Sequence, residues 1–463
     1  MNEWFEAEQY AEQAHKYYDA GQWEKALSSL QRALSCNPTQ SEWHYGLGLV
    51  LEELNRYQDA VISFRDALAL QPEEVDTLLH LSRCYLQMDQ PSKAIDCLEK
   101  VNTIDSDCEA GYCYRILAYA QLGDHDQAQQ MFYMARLIED ECPNCYDHIA
   151  QSLTQVGQLD KALWCWEQCL KIDPHFPDAY ANLALTFWNK GLHARAHSYF
   201  LRQLREAPGD LDTLVNLGIL LSEMGKHNDA REKFKHALEL DPSQADARLH
   251  LGEISLLGGH LDAAEAELQV AQRLDDKLPG VRLALARIAT KRGNLQRARV
   301  LVRDELILNV HTDQQRVDIA RLMVELRMAD PAMQVLTPIL QANNLILDRR
   351  TLSTAYLTRG VARVLLNNRS QGITDLKLAL TFDHHNDLAM HNLVLAYLEI
   401  GEVRRAKFWL IQALKLKPQD TTLKQLRLRI FITAITCKYR KTIQSIGQMF
   451  RRMLPGQSRK LSI

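Results

Sequence analysis

Apolar residues recur along the chain at the three- and four-residue spacing of a helix, and the segment 211–244 shows this pattern twice. A stripe at this spacing predicts an amphipathic helix with one buried face. Gly225 separates the two predicted helices, because glycine readily adopts the positive φ that ends many helices. Pro242 ends the second helix, since proline cannot continue it. The stripe residues are Leu214, Leu217, Gly218, Leu221, Ala230, Phe234 and Ala237.

This pair of helices recurs with a period of 34 residues, as the spacing of Pro38 and Pro72 first indicates. Two small-residue positions recur with it, one early in the second helix and one in the turn between the helices. The alanine slot holds Ala26, Ala60, Ala94, Ala128, Ala162, Ala196, Ala230, Ala264, Ala298, Ala332 and Ala406. The turn-glycine slot holds Gly21, Gly123, Gly157, Gly191, Gly225, Gly259, Gly293 and Gly401. One repeat departs most from the pattern, with Gly372 in the alanine slot and Asn367 in the glycine slot.

These recurring positions resemble the tetratricopeptide repeat (TPR) family, whose unit is a 34-residue helix–turn–helix. About twelve repeats span residues 7–420, about nine-tenths of the chain. The resemblance implies an all-α fold, a right-handed α-solenoid of stacked helix pairs whose first helices line a concave groove. We expect about ten repeats in 1–346 and two more in 347–420, after an insertion of about six residues. A basic capping or amphipathic helix and a tail then fill 421–463.

Composition fits this interpretation and narrows the class of protein. The chain is 46% hydrophobic and 24% charged with a net charge of −4, which excludes a disordered chain. Its acidic start does not match a secretory signal, and its longest uncharged apolar run, 430–437, is too short to span a bilayer. We therefore expect a cytoplasmic protein with reduced thiols, with peripheral membrane contact as the alternative.

A row of polar residues occupies one position of the first helices and predicts a peptide-binding groove. Asparagine and neutral histidine both donate and accept hydrogen bonds, so such a row could hold an extended peptide by its backbone. The row is similar to the asparagine ladder in the TPR groove of O-GlcNAc transferases. The alternative is that these residues are polar because that face of the helix is exposed to solvent. The predicted groove residues are His80, Tyr114, His148, Asn182, Asn216, His250 and Asn392.

Acidic residues near the starts of several first helices offer a second clue about the partner. They could attract a basic peptide, but carboxylates are also favoured in the first turn of any helix by its unsatisfied N–H groups. Both interpretations stay open at this point. The residues are Glu42, Asp76, Asp178 and Asp212.

The sequence predicts no enzyme. It contains neither a phosphate-binding Gly-x-x-x-x-Gly-Lys loop nor a His-Glu-x-x-His zinc helix. Catalytic relatives of the TPR family carry a separate large transferase domain, for which the 43 residues after Asp420 are too few. We expect a scaffold or adaptor without a cofactor that binds a protein or peptide. Nucleic acid is not an expected partner, because the repeats are acidic and no reading motif is present.

The end of the chain is basic, in contrast to the repeats. Residues 421–463 contain ten Lys or Arg and no Asp or Glu. This segment could cap the last repeat, as solenoids require, or contact an anionic membrane surface or a partner as an amphipathic helix. Docking of the basic tail onto an acidic surface of the same chain is a third interpretation. The predicted contact residues are Arg440, Lys441, Arg451 and Arg452.

The cysteines are the last group of residues that could bind a metal or carry out redox chemistry. Cys142 and Cys145 make a Cys-x-x-Cys pair at the joint between the fourth and fifth repeats, and Cys108 and Cys113 lie one repeat earlier. Four thiolates could hold zinc, but equivalent positions of stacked helices lie ~8–10 Å apart, whereas zinc requires each sulfur at ~2.3 Å. Free cysteine is also commonly a small buried apolar residue. Ordinary packing at a joint is therefore the main expectation, and a zinc or redox site is the alternative.

Overall fold

The computed structural model describes residues 2–139, 141–308, 311–341 and 347–435, with side chains described from residue 4 onward. All regular structure in these ranges is helical. The first helices of the pairs are α1 (Asn2–Asp19), α3 (Ser41–Glu53), α5 (Val75–Gln87), α7 (Glu109–Leu122), α9 (Pro143–Gln155), α11 (Ala179–Asn189), α13 (Leu211–Glu223), α15 (Ala245–Leu257), α17 (Val281–Lys291), α19 (Asp313–Glu325), α21 (Arg349–Leu365) and α23 (Asp387–Glu399). The second helices are α2 (Trp23–Cys36), α4 (Tyr57–Leu70), α6 (Pro91–Ile104), α8 (His125–Ile138), α10 (Leu159–Ile172), α12 (His193–Glu206), α14 (His227–Leu240), α16 (Leu261–Leu274), α18 (Leu295–Ile307), α20 (Ala329–Gln341), α22 (Arg369–Phe382) and α24 (Val403–Leu416).

Successive helix pairs correspond to the twelve predicted repeats, and they confirm the all-α solenoid of helix–turn–helix units. The alanine slot explains how the two helices of a repeat pack so closely. Every alanine of this slot has 0% exposure. The facing first-helix position is equally tight, since a Cβ added to Gly48 would lie 2.4 Å from the Phe64 ring. A small residue is thus required at Gly48, where the Phe64 ring fills the space between the two helices.

The turn slot has one backbone conformation in all twelve repeats, although only eight have glycine there. Positive φ values occur at the eight glycines and also at Asn55, Asp89, Arg327 and Asn367, which occupy the same slot in the other four repeats. Asparagine and aspartate tolerate this left-handed conformation better than other L-residues. Arg327, at φ 62°, is the member of the set with the least intrinsic preference for it.

Contacts divide the chain into two compact units, Met1–Lys233 and Phe234–Ile463. The division falls within α14, at a point where the repeat pattern shows no break. Each unit has its own apolar clusters, such as the one formed by the first repeats around Val50, Phe64 and Leu81. The boundaries expected at 346/347 and 420/421 remain predictions.

Repeat 11 has unusual chemistry in its core. Asp375 on α22 has a side chain only 2% exposed, and it accepts two hydrogen bonds of 2.9 Å from the guanidinium of Arg359 on α21. Arg363, one turn further along α21, adds a third contact of 2.8 Å. The first two repeats have a buried serine at this place, Ser29 and Ser63. A buried ion network therefore replaces ordinary packing between these two helices.

A helical segment at 421–435 follows α24 and covers the last repeat. Leu423, Leu426 and Ile430 are buried in the apolar cluster of α23 and α24. This arrangement confirms the predicted capping helix, because the final pair would otherwise expose its apolar face. No helix in the described ranges combines the length and apolar character needed to cross a membrane.

Candidate functional site

The predicted groove residues all lie on first helices, and we call the surface that they mark the first-helix face. Each of the seven side chains is half-buried. The five from His80 to Asn216 belong to the first unit, whereas His250 and Asn392 belong to the second.

Three of these side chains are hydrogen-bonded to the preceding first helix. His80 Nδ1 lies 2.9 Å from a carboxylate oxygen of Glu52, and His148 Nδ1 lies 3.1 Å from the carbonyl oxygen of Cys113. Asn182 donates to Asp147 over 3.5 Å. The polar row thus connects neighbouring repeats of the first unit, a structural role that the sequence pattern did not distinguish from peptide binding.

Two other members of the row, His250 and Asn392, interact within their own repeat or with the helix just before them. Asn392 donates to the carbonyl oxygen of Leu388 on its own helix, 2.8 Å away. The His250 ring stacks on Phe234 at a centroid distance of 5.4 Å, and Nδ1 lies 3.0 Å from Glu253. Asn216 makes no side-chain hydrogen bond to the described part of the chain. Asn216 is therefore the member of the row with the greatest capacity to bond a ligand.

Glu52 anchors the start of this network between α3 and α5. Its side chain is 6% exposed and also accepts a 2.5 Å hydrogen bond from Arg83 Nε. Burial acts to raise the pKa of Glu52, but the hydrogen bonds from His80 and Arg83 outweigh it and leave that pKa lowered. The carboxylate is therefore held ionised beneath the first-helix face.

A cavity of about 540 Å³ opens between α1 and α3, and we call it the N-terminal cavity. It continues the row, because Glu12 and Gly46 occupy the row position in the first two repeats. The absence of a side chain at Gly46 leaves space where later repeats have a histidine or an asparagine. The cavity is lined by the aromatic rings Tyr18, Trp43 and Tyr45 and by the carboxylates of Glu8, Glu12, Asp19 and Glu42.

Electrostatics in this cavity favour a cation. No Lys or Arg is among its lining residues, and His15 lies 3.1 Å from Asp19. Burial raises the pKa of Tyr18, and the carboxylates of Glu53 and Glu52 raise it further. The pKa of Tyr45 is also raised by burial and then by Asp76. The sequence analysis identified Glu42 but missed the cavity, for which the glycine in the polar row was the available signal.

The cysteine cluster lies at the joint between α7 and α9. Ligand atoms of Glu109, Cys113, Cys142 and Cys145 all lie within 4.8 Å of one another. Cys145 Sγ donates to Glu109 over 2.9 Å, and the backbone N–H of Cys145 donates to Cys142 Sγ over 3.4 Å. The two first helices therefore bring together three of the four predicted cysteines and add a carboxylate that the sequence analysis did not include.

Cys108 lies outside this group, although it is equivalent to Cys142 by one period. It packs instead against the apolar cluster of the first repeats. The spacing of the actual contacts explains the difference: Cys145 meets Glu109 across 36 residues, and His148 meets Cys113 across 35. Side chains on consecutive first helices thus meet one or two residues beyond the 34-residue period. This offset brings Cys145 to Glu109, whereas Cys108 and Cys142, which are 34 residues apart, do not meet.

Burial and mutual hydrogen bonding perturb the acids of this cluster. Burial, with the Cys142 thiol beside it, raises the pKa of Glu109 to about 7. Hydrogen bonds from the thiols of Cys113 and Cys145 lower the pKa of Cys142. The hydrogen bond with Cys142 raises the pKa of Cys113, and the hydrogen bonds with Cys113 and Cys142 raise the pKa of Cys145. His148, beside Cys113 Sγ at 3.4 Å, has its pKa lowered by burial.

The basic contact residues predicted near the C-terminus lie outside the described residues, as the structure describes nothing after 435. These residues are Arg440, Lys441, Arg451 and Arg452. Within 421–435, one face carries exposed apolar side chains, with Leu428 and Phe431 each 63% exposed.

Comparison with known proteins defines the class. No curated protein matches this sequence. A chain of the crystal structure of the APC/C hetero-tetramer Cut9–Hcn1 is 15% identical, with a TM-score of 0.51 over 90% of this chain and 95% of that chain. The yeast Tom70 structure is 14% identical, with a TM-score of 0.40 over 97% and 99% of the two chains. A tetratricopeptide repeat protein from Parabacteroides merdae is 19% identical, with a TM-score of 0.46 over 54% and 99%. The first likeness supports an all-α solenoid.

Family models then identify the repeat itself. Models described as tetratricopeptide repeat or TPR repeat match segments that together cover just over half of the chain. This chain belongs to the tetratricopeptide repeat family, and a protein-interaction scaffold is the general role that this family and fold support. The matched residues are 12–75, 53–112, 150–191, 215–279 and 388–420.

Proposed function

We propose that this protein is a non-catalytic scaffold that binds a peptide segment of a partner protein on the first-helix face of its first unit. The N-terminal cavity would hold a basic side chain of that peptide. The observation that carries the proposal is the combination, in one cavity of about 540 Å³, of three aromatic rings with four carboxylates. This volume is in the range of ordinary ligand pockets.

The chemistry of the cavity selects the ligand. A Lys or Arg side chain can place its apolar stem against Trp43 and its cation over a ring, where the ring quadrupole attracts it. Carboxylates at the rim, such as Glu12 and Glu42, add attraction that acts over about 10 Å at 0.1 M salt. The peptide backbone would then continue toward His80 and the later row residues.

A pair of labelled peptides tests the cavity. One peptide carries several lysines and arginines, and the other replaces each of them with glutamine at the same length. We expect the basic peptide to bind more tightly in fluorescence anisotropy. Trp43→Ala and Glu12→Gln should each weaken its binding, by about tenfold or more for the aromatic residue. Glu24→Gln on α2, an exposed residue outside the cavity, is the matched control. Equal binding of both peptides, or equal binding by all variants, would refute the proposal.

The polar row needs a separate test, because part of it is structural. The double variant Asn182→Ala, Asn216→Ala should weaken binding of the basic peptide while circular dichroism shows intact helicity. The single variant Asn182→Ala separates the structural role of the row from peptide binding. It removes the hydrogen bond to Asp147 and leaves Asn216, which makes no such bond among the described residues. Unchanged affinity in the double variant would remove the row from the binding surface.

We also propose a second contact for the basic C-terminal segment, a tether to an anionic membrane surface. The exposed Leu428 and Phe431 beside Arg427 and Arg429 favour it, because apolar and basic groups together bind anionic interfaces. Deletion of residues 438–463 should release the protein from vesicles that contain phosphatidylserine. Undiminished vesicle binding by the truncated chain would contradict a tether through residues 438–463, the part that carries Arg440, Lys441, Arg451 and Arg452.

A further inference from the structure

Three thiols and one carboxylate converge between α7 and α9, and we propose that they form a zinc site. The ligands are Cys113, Cys142 and Cys145, with Glu109 as the fourth. Three thiolates and a fourth oxygen or nitrogen donor make a set that Zn²⁺ binds in tetrahedral geometry. Thiolate-rich sites select zinc over magnesium or calcium, which prefer oxygen ligands throughout.

The distances suit a tetrahedral ion. Zinc bonds of ~2.3 Å to sulfur place neighbouring ligand atoms roughly 3.8 Å apart. The four atoms lie within 4.8 Å of one another, so small side-chain rotations suffice to reach that arrangement. The 2.9 Å contact between Cys145 Sγ and a Glu109 oxygen would open by about 0.7 Å, because a shorter zinc–oxygen bond of ~2.1 Å places sulfur and oxygen about 3.6 Å apart.

The backbone around the cluster is suited to anionic ligands. Cys142 is the N-cap of α9 and Cys145 lies in its first turn, while Glu109 begins α7. The unpaired N–H groups of a helix N-terminus stabilise negative charge, and two such termini meet here. The N–H of Cys145 already donates to Cys142 Sγ over 3.4 Å. Hydrogen bonds of this kind orient and support thiolate ligands of a metal.

Two of the four ligands are buried and two are half-buried, so a metal ion can reach the site from one side. Cys113 and Cys145 are 4% and 2% exposed, so they form the inner side of the site. Cys142 and Glu109 are half-buried and lie on the accessible side. His148 stands beside the cluster, with Nδ1 3.4 Å from Cys113 Sγ. We assign it as a positioning residue that holds Cys113 rather than as a ligand.

Such a site would connect repeats 4 and 5. Two ligands come from α7 and two from α9, so the bound ion would link consecutive first helices by four bonds. A link of this kind adds stability at one joint of a solenoid, in which each repeat otherwise contacts only its neighbours. It would also hold His148 of the first-helix face in place. The inference does not depend on the peptide-binding proposal, because its test measures metal rather than partner affinity.

The test uses the full chain without a histidine tag, expressed in zinc-supplemented medium and purified without chelator. We expect about one zinc per chain by elemental analysis, since four convergent ligands make one closed site. Cys142→Ser and Cys145→Ser should reduce the zinc content to near zero. Cys108→Ser is the matched control, because Cys108 is also a helix N-cap one period earlier and should leave the zinc content unchanged.

Cobalt provides a second readout that does not require each variant to retain metal during purification. Metal-free wild-type protein should bind Co²⁺ with the visible absorption of a tetrahedral thiolate site, and Cys108→Ser should match it. Glu109→Gln keeps all three thiols and should bind Zn²⁺ at least ten times more weakly in a competition assay. Unchanged zinc affinity in Glu109→Gln would show that Glu109 is not the fourth ligand. Absence of zinc from the wild type, together with no cobalt–thiolate absorption, would overturn the site.

Discussion

Replacing Asp375 with asparagine tests the physical account of repeat 11. The substitution keeps the volume of the side chain and removes only its charge. Two guanidinium groups would then lack their counter-ion, Arg359 with a side chain 9% exposed and Arg363 with one 19% exposed. Removing one partner of a buried ion pair typically costs about 3–5 kcal/mol, because the remaining charge is left uncompensated.

The structure places the expected loss near the lower end of that range. The asparagine oxygen can still accept one hydrogen bond, and Arg363 retains enough solvent access to be partly hydrated. We therefore expect a loss of about 3 kcal/mol in the free energy of local unfolding. At about 1.4 kcal/mol per decade, this corresponds to more than a hundredfold faster hydrogen exchange through opening of α21 and α22.

Hydrogen exchange resolved by peptides is the appropriate assay, because a solenoid of many repeats need not unfold in one step. Asp387→Asn is the matched control in the same unit, since Asp387 pairs with Lys417 at the surface. Exposed ion pairs contribute little to stability, so exchange in that variant should be unchanged. The double variant Arg359→Met, Asp375→Asn should lose less stability than Asp375→Asn alone. Unchanged exchange of α21 and α22 in Asp375→Asn would refute the reasoning.

Three further substitutions probe other repeats. Arg327→Gly should stabilise its repeat by about 1 kcal/mol in chemical unfolding, because it relieves the left-handed conformation of a residue with a Cβ; a loss of stability would contradict this account of the turn slot. Gly48→Ala should destabilise by about 1–3 kcal/mol through overpacking against Phe64, and an unchanged melting temperature would contradict the close approach. The lowered pKa of Glu52 means that its contribution is present above its ordinary pKa of 4.5 and is lost as the pH falls toward the folded-state value. The protection factors of α3 and α5, which are exchange rates corrected for the intrinsic effect of pH, should fall in acid in the wild type. In Glu52→Gln, which is already destabilised, they should depend less on pH.

The helices and turns were predictable because each depends on a residue type that recurs. An alanine slot with 0% exposure and a turn with positive φ impose strong steric demands, so a 34-residue period is readable in one sequence. The turn at Arg327 was not predictable from residue type, since arginine has no preference for that conformation. There the surrounding repeats impose the backbone, and the local residue adapts to it.

Side-chain chemistry was less predictable, because it depends on offsets of one or two residues between stacked helices. The cysteine cluster shows this limit. Period alone pairs Cys108 with Cys142, while the structure pairs Glu109 with Cys145 across 36 residues. The polar row shows it too, since Asn182 and Asn216 occupy equal positions but only Asn182 is bonded to a neighbouring first helix.

These differences follow from how a repeat distributes its constraints. Packing fixes the small residues between the two helices of a repeat and the turn that joins them, but it leaves the outward side of each first helix free to vary. Identical scaffolding can therefore carry a carboxylate and aromatic cavity at Trp43 and a thiol cluster at Cys145. Family membership identifies the small packing residues and the turn, because all repeats share them. The partner of this protein must be sought through the outward residues of the first helices, because only residues that differ from repeat to repeat can distinguish one ligand from another.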